Sequence, residues 1–247
     1  MKKHPDIFFA TLISVAVLML SMIQSVQAAV YIEGTRIIYP ANEKEITVKT
    51  FNKGKMPALV QVWLDRGNAL SQPNNADAPF MVTPPIFRLN ANNGQSVRLT
   101  YIGENIPQDR ESLFWFNTLE IPPLANNDKN YMQVVVRSRL KLFYRPEGLS
   151  GEPENAVKEV TWKVIPVASD NNYVLRGENP TPYHVTYSKL ELSLAGKKYH
   201  LGNAMIPPYS SHDLVFKPAR NHTGGGELVY RAVGDYGLGT EQRMTVR

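Results

Sequence analysis

Residues 131–146 read YMQVVVRSRLKLFYRP. From Tyr131 to Tyr144 the pattern is that of a strand. Met132, Val134, Val136, Leu140 and Leu142 share one parity, and Gln133, Val135, Arg137, Arg139 and Lys141 share the other. Most strands run about five or six residues, so a strand of this length overhangs a sheet of ordinary size. The overhang leaves unpaired N–H and C=O groups beside an apolar row, a template on which another chain can add a strand. Arg145 and Pro146 end the run. The stretch from Glu147 to Asn155 follows, with Gly148, Gly151 and Pro153 and a single aliphatic side chain of any size, Leu149; it reads as an interdomain linker.

Upstream of this strand lie six further runs rich in β-branched and aromatic residues, each bounded by turn residues. They are Val30 to Tyr39, Glu45 to Phe51, Ala58 to Asp65, Phe80 to Leu89, Ser96 to Ile102 and Ser112 to Ile121. Seven strands in one segment of this size predict an immunoglobulin-like sandwich. Downstream, the runs Val160 to Val164, Tyr173 to Gly177, Tyr183 to Leu194, Lys197 to Leu201, His212 to Phe216, Gly226 to Val233 and Gln242 to Val246 predict a second, smaller sandwich with shorter strands. No window sustains helical periodicity beyond two turns. The expected fold is therefore all-β, with two immunoglobulin-like β-sandwich domains at 29–148 and 149–247.

Residues 1–28 read as a cleaved signal peptide. Lys2 and Lys3 precede an apolar run from Ile7 to Ile23, and Val26-Gln27-Ala28 has the small-residue pattern of a processing site. The alternative is a membrane anchor, for which the run is slightly short. The whole chain has 27 Lys+Arg against 22 Asp+Glu, a formal net charge of +5. Removing Lys2, Lys3 and Asp6 leaves 25 against 21, or +4, too small and scattered an excess for a nucleic-acid protein.

Catalytic and metal chemistry find little support. The chain has no cysteine, which excludes disulfide scaffolds, thiol nucleophiles and thiolate metal sites. His184, His200, His212 and His222 stand at no ligand spacing from one another, so no metal and no cofactor are expected. His212 and Asp213 beside Ser210 and Ser211 do not make a triad, because neighbours in a strand point to opposite faces. The Gly224-Gly225-Gly226 run lacks a following Lys-Ser/Thr and precedes a strand, so it reads as a turn.

At this point a family resemblance carries the reading further. Residues Arg137 to Pro146 closely resemble the last first-domain strand of the periplasmic pilus chaperones of the chaperone–usher pathway. Gly34 to Pro40 resembles their first strand and Phe80 to Leu89 their fourth. Ile106 to Asn117, continuing through Leu119 to Pro123, is similar to the family signature, departing from it at Thr118, where an aliphatic residue is usual. Asp235-Tyr236-Gly237 extends the likeness, more weakly, into the second domain.

The resemblance implies a boomerang of two domains with a cleft between them. It implies that Arg36 and Lys141 grip the C-terminal carboxylate of a pilus subunit. It further implies that Met132, Val134 and Val136 are donated to a subunit's open groove, and that Glu111, Arg145 and Asp235 form an interdomain charge cluster. The implied partners are pilus or fimbrial subunits and an outer-membrane usher, with self-association through the exposed edge of the last strand, in the periplasm and without enzymatic activity. The short, cysteine-free connection from Pro122 to Asn130 implies the short-loop group, which assembles rigid, rod-like pili. The competing function on the same sandwich is a pilus subunit, an adhesin or a carbohydrate-binding module. Parity leaves one question open. Lys141 and the donor row should face opposite ways, so either a bulge lies between Arg137 and Leu140 or the cleft meets the strand from its other side.

Overall fold

The computed structural model describes residues 29–124, 132–167, 172–218 and 225–246. The signal-peptide reading of 1–28, the start of the long strand at Tyr131, most of the connection before it and His222 lie outside these residues.

The chain folds as two β-sandwiches. In the first, strands β1 (Val30–Ile32), β3 (Ile46–Asn52), β7 (Gly94–Tyr101) and β5 (Phe80–Thr83) form one sheet in the order β1-β3-β7-β5. The facing sheet has the order β2-β9-β8-β4-β6, made of β2 (Arg36–Pro40), β9 (Val136–Arg145), β8 (Ser112–Ile121), β4 (Ala58–Asp65) and β6 (Ile86–Leu89). Alternation in β4, β7 and β8 buries Val60, Val62, Val97, Leu99, Phe114 and Phe116 between the sheets. Tyr39 packs edge-on against Phe80, which packs edge-on against Phe114. With no cysteine to cross-link it, this sandwich depends on packing, and side chains of that size are each worth about 1.5–3 kcal/mol when fully buried.

Two expected strands are each divided. Val30 to Tyr39 crosses between the sheets, pairing first with β3 and then with β9. The switch falls at Gly34, whose φ of 96° suits glycine. Phe80 to Leu89 breaks at the cis Thr83–Pro84 bond and Pro85, passing from β7 to β4. The long strand is also shorter than its alternation suggests. It begins at Val136, and 132–135 have no sheet partner among the described residues, where strand geometry is held by a neighbouring strand.

The second sandwich packs β10 (Thr161–Pro166), β11 (Tyr173–Asn179) and β14 (Ser210–Phe216) against β13 (Lys197–Ile206), β12 (Val185–Leu194), β15 (Gly226–Gly234) and β16 (Gly237–Val246). Its strands are not the shorter ones: β12, β13 and β16 each have 10 residues. The excess lies in polar or glycine-containing ends, such as Gly202 and Gly237 to Gln242, where backbone pairing continues without an apolar signal. Trp162, Leu175, Tyr187, Leu192, Ile206 and Leu228 form its core. The linker contains a short helix, α1 (Pro153–Glu159), with Pro153 opening it, Glu154 in the first turn, Lys158 in the last and Ala156 buried.

Candidate functional site

β2 and β9 run parallel, and their register sets Arg36 directly beside Lys141. β8 pairs antiparallel with β9 without interruption from Glu120↔Val136 to Ser112↔Tyr144. No bulge separates Arg137 from Leu140, so parity holds along all of β9. Leu142 and Tyr144 enter the sandwich core with Leu140 packed against it, while Arg139, Lys141, Phe143 and Arg145 point outward. The cleft therefore meets the strand on the face away from the core. Phe143 is buried at the domain boundary, against the His184 ring at 5.1 Å and beneath the Arg36 guanidinium.

A cavity of about 580 Å³ separates the two sandwiches. Arg36, Trp115, Arg139 and Lys141 line one wall, and Thr186, Ser188, Asn203 and Met205 line the other. Burial, together with the neighbouring Arg36 charge, pushes the Lys141 ammonium below the ordinary lysine range. Burial likewise lowers Arg36; Asp235 and Glu111 pull the other way without cancelling it. Among the described residues neither cation has a carboxylate within salt-bridge distance, and Arg36 Nε is a buried donor without a partner. Two partly desolvated cations side by side, with no ion-pair partner among the described residues, can receive an anion.

β2 covers β9 only from Lys141 to Arg145. On that side the edge from Val136 to Leu140 has no neighbouring strand among the described residues. It continues into an apolar segment whose Met132 is 89% exposed and Val134 54% exposed, while Val136 is half-buried.

Below the cavity, Glu111, Arg145 and Asp235 come together across the domain boundary. Arg145 donates from Nε to Glu111 Oε1 at 2.8 Å and from its two terminal nitrogens to Asp235 at 2.7 and 3.1 Å. Burial pushes the Arg145 guanidinium down, but the two carboxylates outweigh it and hold its pKa above that of a free arginine. His184 is a member that sequence reasoning missed. Its backbone N–H donates to Glu111 Oε2 at 2.8 Å, and its ring Nδ1 lies 3.2 Å from the same oxygen. The Glu111 N–H also donates to the Pro182 carbonyl at 2.9 Å. His184 is 73 positions from Glu111 and carries no local signal of the contact. Trp115 was also missed, although cross-strand pairing with Lys141 was within reach of a register argument.

The family model described as "Pili and flagellar-assembly chaperone, PapD N-terminal domain" matches residues 29–150, and that described as "Pili assembly chaperone PapD, C-terminal domain" matches residues 155–244. The chain belongs to the PapD family of pilus-assembly chaperones. Chaperone protein FimB/FhaD of Bordetella pertussis is 41% identical over 228 residues, covering 90% of each chain. The probable fimbrial chaperone YadV of Escherichia coli K12 is 38% identical over 215 residues, covering 85% of this chain and 87% of its own. The crystal structure of YadV superposes with a TM-score of 0.72 over 88% of this chain and 100% of that chain. The SafB chaperone of Salmonella enterica, solved in complex with the SafA pilin, gives 0.71 at 27% identity, covering 90% of this chain and 98% of that chain. The PapD-family chain described here is thus a chaperone of pilus assembly and not an enzyme.

Proposed function

We propose that this chaperone works in the periplasm, after removal of residues 1–28, by lending part of β9 to an incomplete pilus subunit and holding the subunit's C-terminal carboxylate at Arg36 and Lys141. The observation that carries the reading is where β2 stops. A subunit strand added in parallel along Val136 to Leu140 runs in line with β2 and ends against its first residue, Arg36. A free carboxylate at that end meets the two cations that lack a counter-charge. The exposed Met132 and Val134, with Val136, then fill the subunit's apolar groove, so area exposed in the free chain is buried in the complex. The solved SafB–SafA complex supports a pilin as the partner class. Glu111, Arg145, Asp235 and His184 hold the angle at which the second domain, 149–247, faces the first, 29–148. Delivery to an outer-membrane usher, self-association through the same free edge and membership of the short-loop group complete the proposal.

Co-expressing the cognate subunit with wild type, Arg36→Ala or Lys141→Ala and measuring periplasmic subunit tests it. Loss of subunit is expected in both variants; undiminished subunit in both overturns the anchor.

A further inference from the structure

We propose that Arg139 is a third subunit-reading residue of the cleft, taking a hydrogen-bond-accepting side chain carried by the bound strand two residues before its C-terminus. The inference rests on the carboxylate-anchor reading and deepens it.

Two neighbouring arginines of β9 set the contrast. Every nitrogen of the Arg137 side chain has a partner: Nε and Nη2 donate to Asn117 Oδ1 at 3.1 and 2.7 Å, Nη1 to the Ala69 carbonyl at 2.9 Å, and Nη2 also to Ser71 Oγ at 3.2 Å. Arg139 is held just as firmly but is not saturated. One terminal nitrogen bonds Asp65, whose side chain is fully buried, and Cζ lies 4.3 Å from the centre of the Trp115 ring. Nε is a buried donor with no hydrogen-bond partner, the condition shared by Arg36 Nε. Both side chains line the one cavity that Lys141 also lines. Buried donors in native structures are paired almost without exception, and an acceptor brought by a ligand accounts for both orphans.

Asp65 and Trp115 act as positioning residues. Asp65 accepts from Ser71 Oγ at 2.7 Å, Asn117 Nδ2 at 2.8 Å and the Gly67 N–H at 2.7 Å, so its carboxylate is fixed before it meets Arg139. With one edge committed to Asp65 and one face to the indole, the guanidinium keeps a defined direction toward the cavity.

Spacing names the position read. Arg139 stands two residues before Lys141 on the same face, about 6.6 Å along the strand. A strand whose carboxylate sits at Lys141, and whose preceding residues lie beside Val136 and Val134, runs parallel to β9. Its third-last residue is then level with Arg139 and on the same face. Asn, Gln, Asp or Glu there supplies the acceptor; Ala or Leu does not.

The test uses the mature chain and synthetic strand peptides of alternating Val and Thr. Each has a free C-terminal carboxylate or a carboxamide, with Gln or Ala placed in turn at the second, third and fourth positions from the end. Affinities come from titration followed by Trp fluorescence. Gln at the third position should bind about tenfold tighter than Ala, the scale of one hydrogen bond to a charged group. That preference should vanish in Arg139→Lys, which keeps a cation beside Asp65 but has no Nε–H and no planar fork. It should also vanish in the Asp65→Asn/Arg139→Met double variant, which removes both members of the Asp65–Arg139 pair. In both variants the preference for carboxylate over carboxamide should persist. A Gln preference that survives in the variants, or none at any position while the carboxylate preference stands, overturns the role of Arg139 alone. Loss of the carboxylate preference in wild type overturns the anchor and this inference together.

Discussion

Truncating Glu111 to alanine probes how the two sandwiches are held at their angle. Its carboxylate is 2% exposed, accepts from Arg145 Nε at 2.8 Å and from the His184 N–H at 2.8 Å, and lies 3.2 Å from the His184 ring. Glu111→Ala leaves Arg145 with Asp235 alone and strands a buried N–H of the second domain. Breaking one partner of a buried ion pair costs about 3–5 kcal/mol. Arg145 keeps its second carboxylate and is 20% exposed, which puts the expected loss at the lower end, about 3 kcal/mol. Urea unfolding reads it: with a slope of roughly 2–3 kcal/mol/M, the midpoint should fall by about 1–1.5 M. Trp63 and Trp115 report on the first sandwich and Trp162 on the second, so a loosened boundary should also separate their transitions. Combining Glu111→Ala with Arg145→Ala should cost at least about 1 kcal/mol less than the sum of the two. A midpoint unmoved by Glu111→Ala, or strict additivity in the double variant, refutes the cluster as a coupled interdomain clamp.

Four further outcomes are expected. Val134→Asp should leave the free chain's stability within about 0.5 kcal/mol, since Val134 is already 54% exposed, yet abolish subunit capture by placing a charge in an apolar groove; thermal melts and co-purification check both halves. Phe116→Ala, at 0% exposure between the sheets of the first sandwich, should lower stability by about 3–5 kcal/mol in the same urea assay. Burial pushes the Asp65 carboxyl up, but hydrogen bonds from Ser71, Asn117, Arg139 and the Gly67 N–H outweigh it and hold its pKa below the ordinary aspartate range. Its stabilisation is thus present above the unfolded value near 3.9 and is lost as pH falls through the lower folded value; Asp65→Asn should flatten the acid limb of a stability–pH curve. Because burial and Arg36 lower the Lys141 pKa, its charge disappears at a lower pH than a free lysine's, so subunit affinity should begin to fall on the alkaline side at a lower pH than a free lysine would give; Lys141→Arg should remove that decline.

Alternation made much of the fold legible. Ala58 to Asp65 and Ser112 to Ile121 occupy the strands that their β-branched and aromatic content predicts, residue for residue, because both lie in mid-sheet with one face in the core. Elsewhere the deciding forces are not local. Val30 to Tyr39 is uniformly strand-forming, and only the sheet each half pairs with divides it at Gly34. Met132 to Val135 have strand propensity but no neighbouring strand among the described residues, so propensity alone does not set the boundary. Helix α1 is two turns long with one buried side chain, too little for a period to register. At the site, Arg36 and Lys141 were legible through the family likeness, and the structure adds the reason they meet, a parallel register. His184, and the partnered Nε of Arg137 beside the unpartnered Nε of Arg139, depend on contacts between distant segments, which no single run of residues encodes.

In the proposed complex, Arg36 and Lys141 hold a subunit's terminal carboxylate. A double-mutant cycle tests it most directly: wild type and Lys141→Met, each titrated with a subunit ending in carboxylate or, by ligation, in carboxamide. Charge-assisted hydrogen bonds of this kind are worth about 1.5–3 kcal/mol, so each single change should weaken binding roughly 10- to 100-fold. If the two groups meet, the pair of changes together should weaken it clearly less than the product of the two single losses, with the remaining carboxylate preference supplied by Arg36. Losses that multiply in full would place the carboxylate elsewhere and contradict the account.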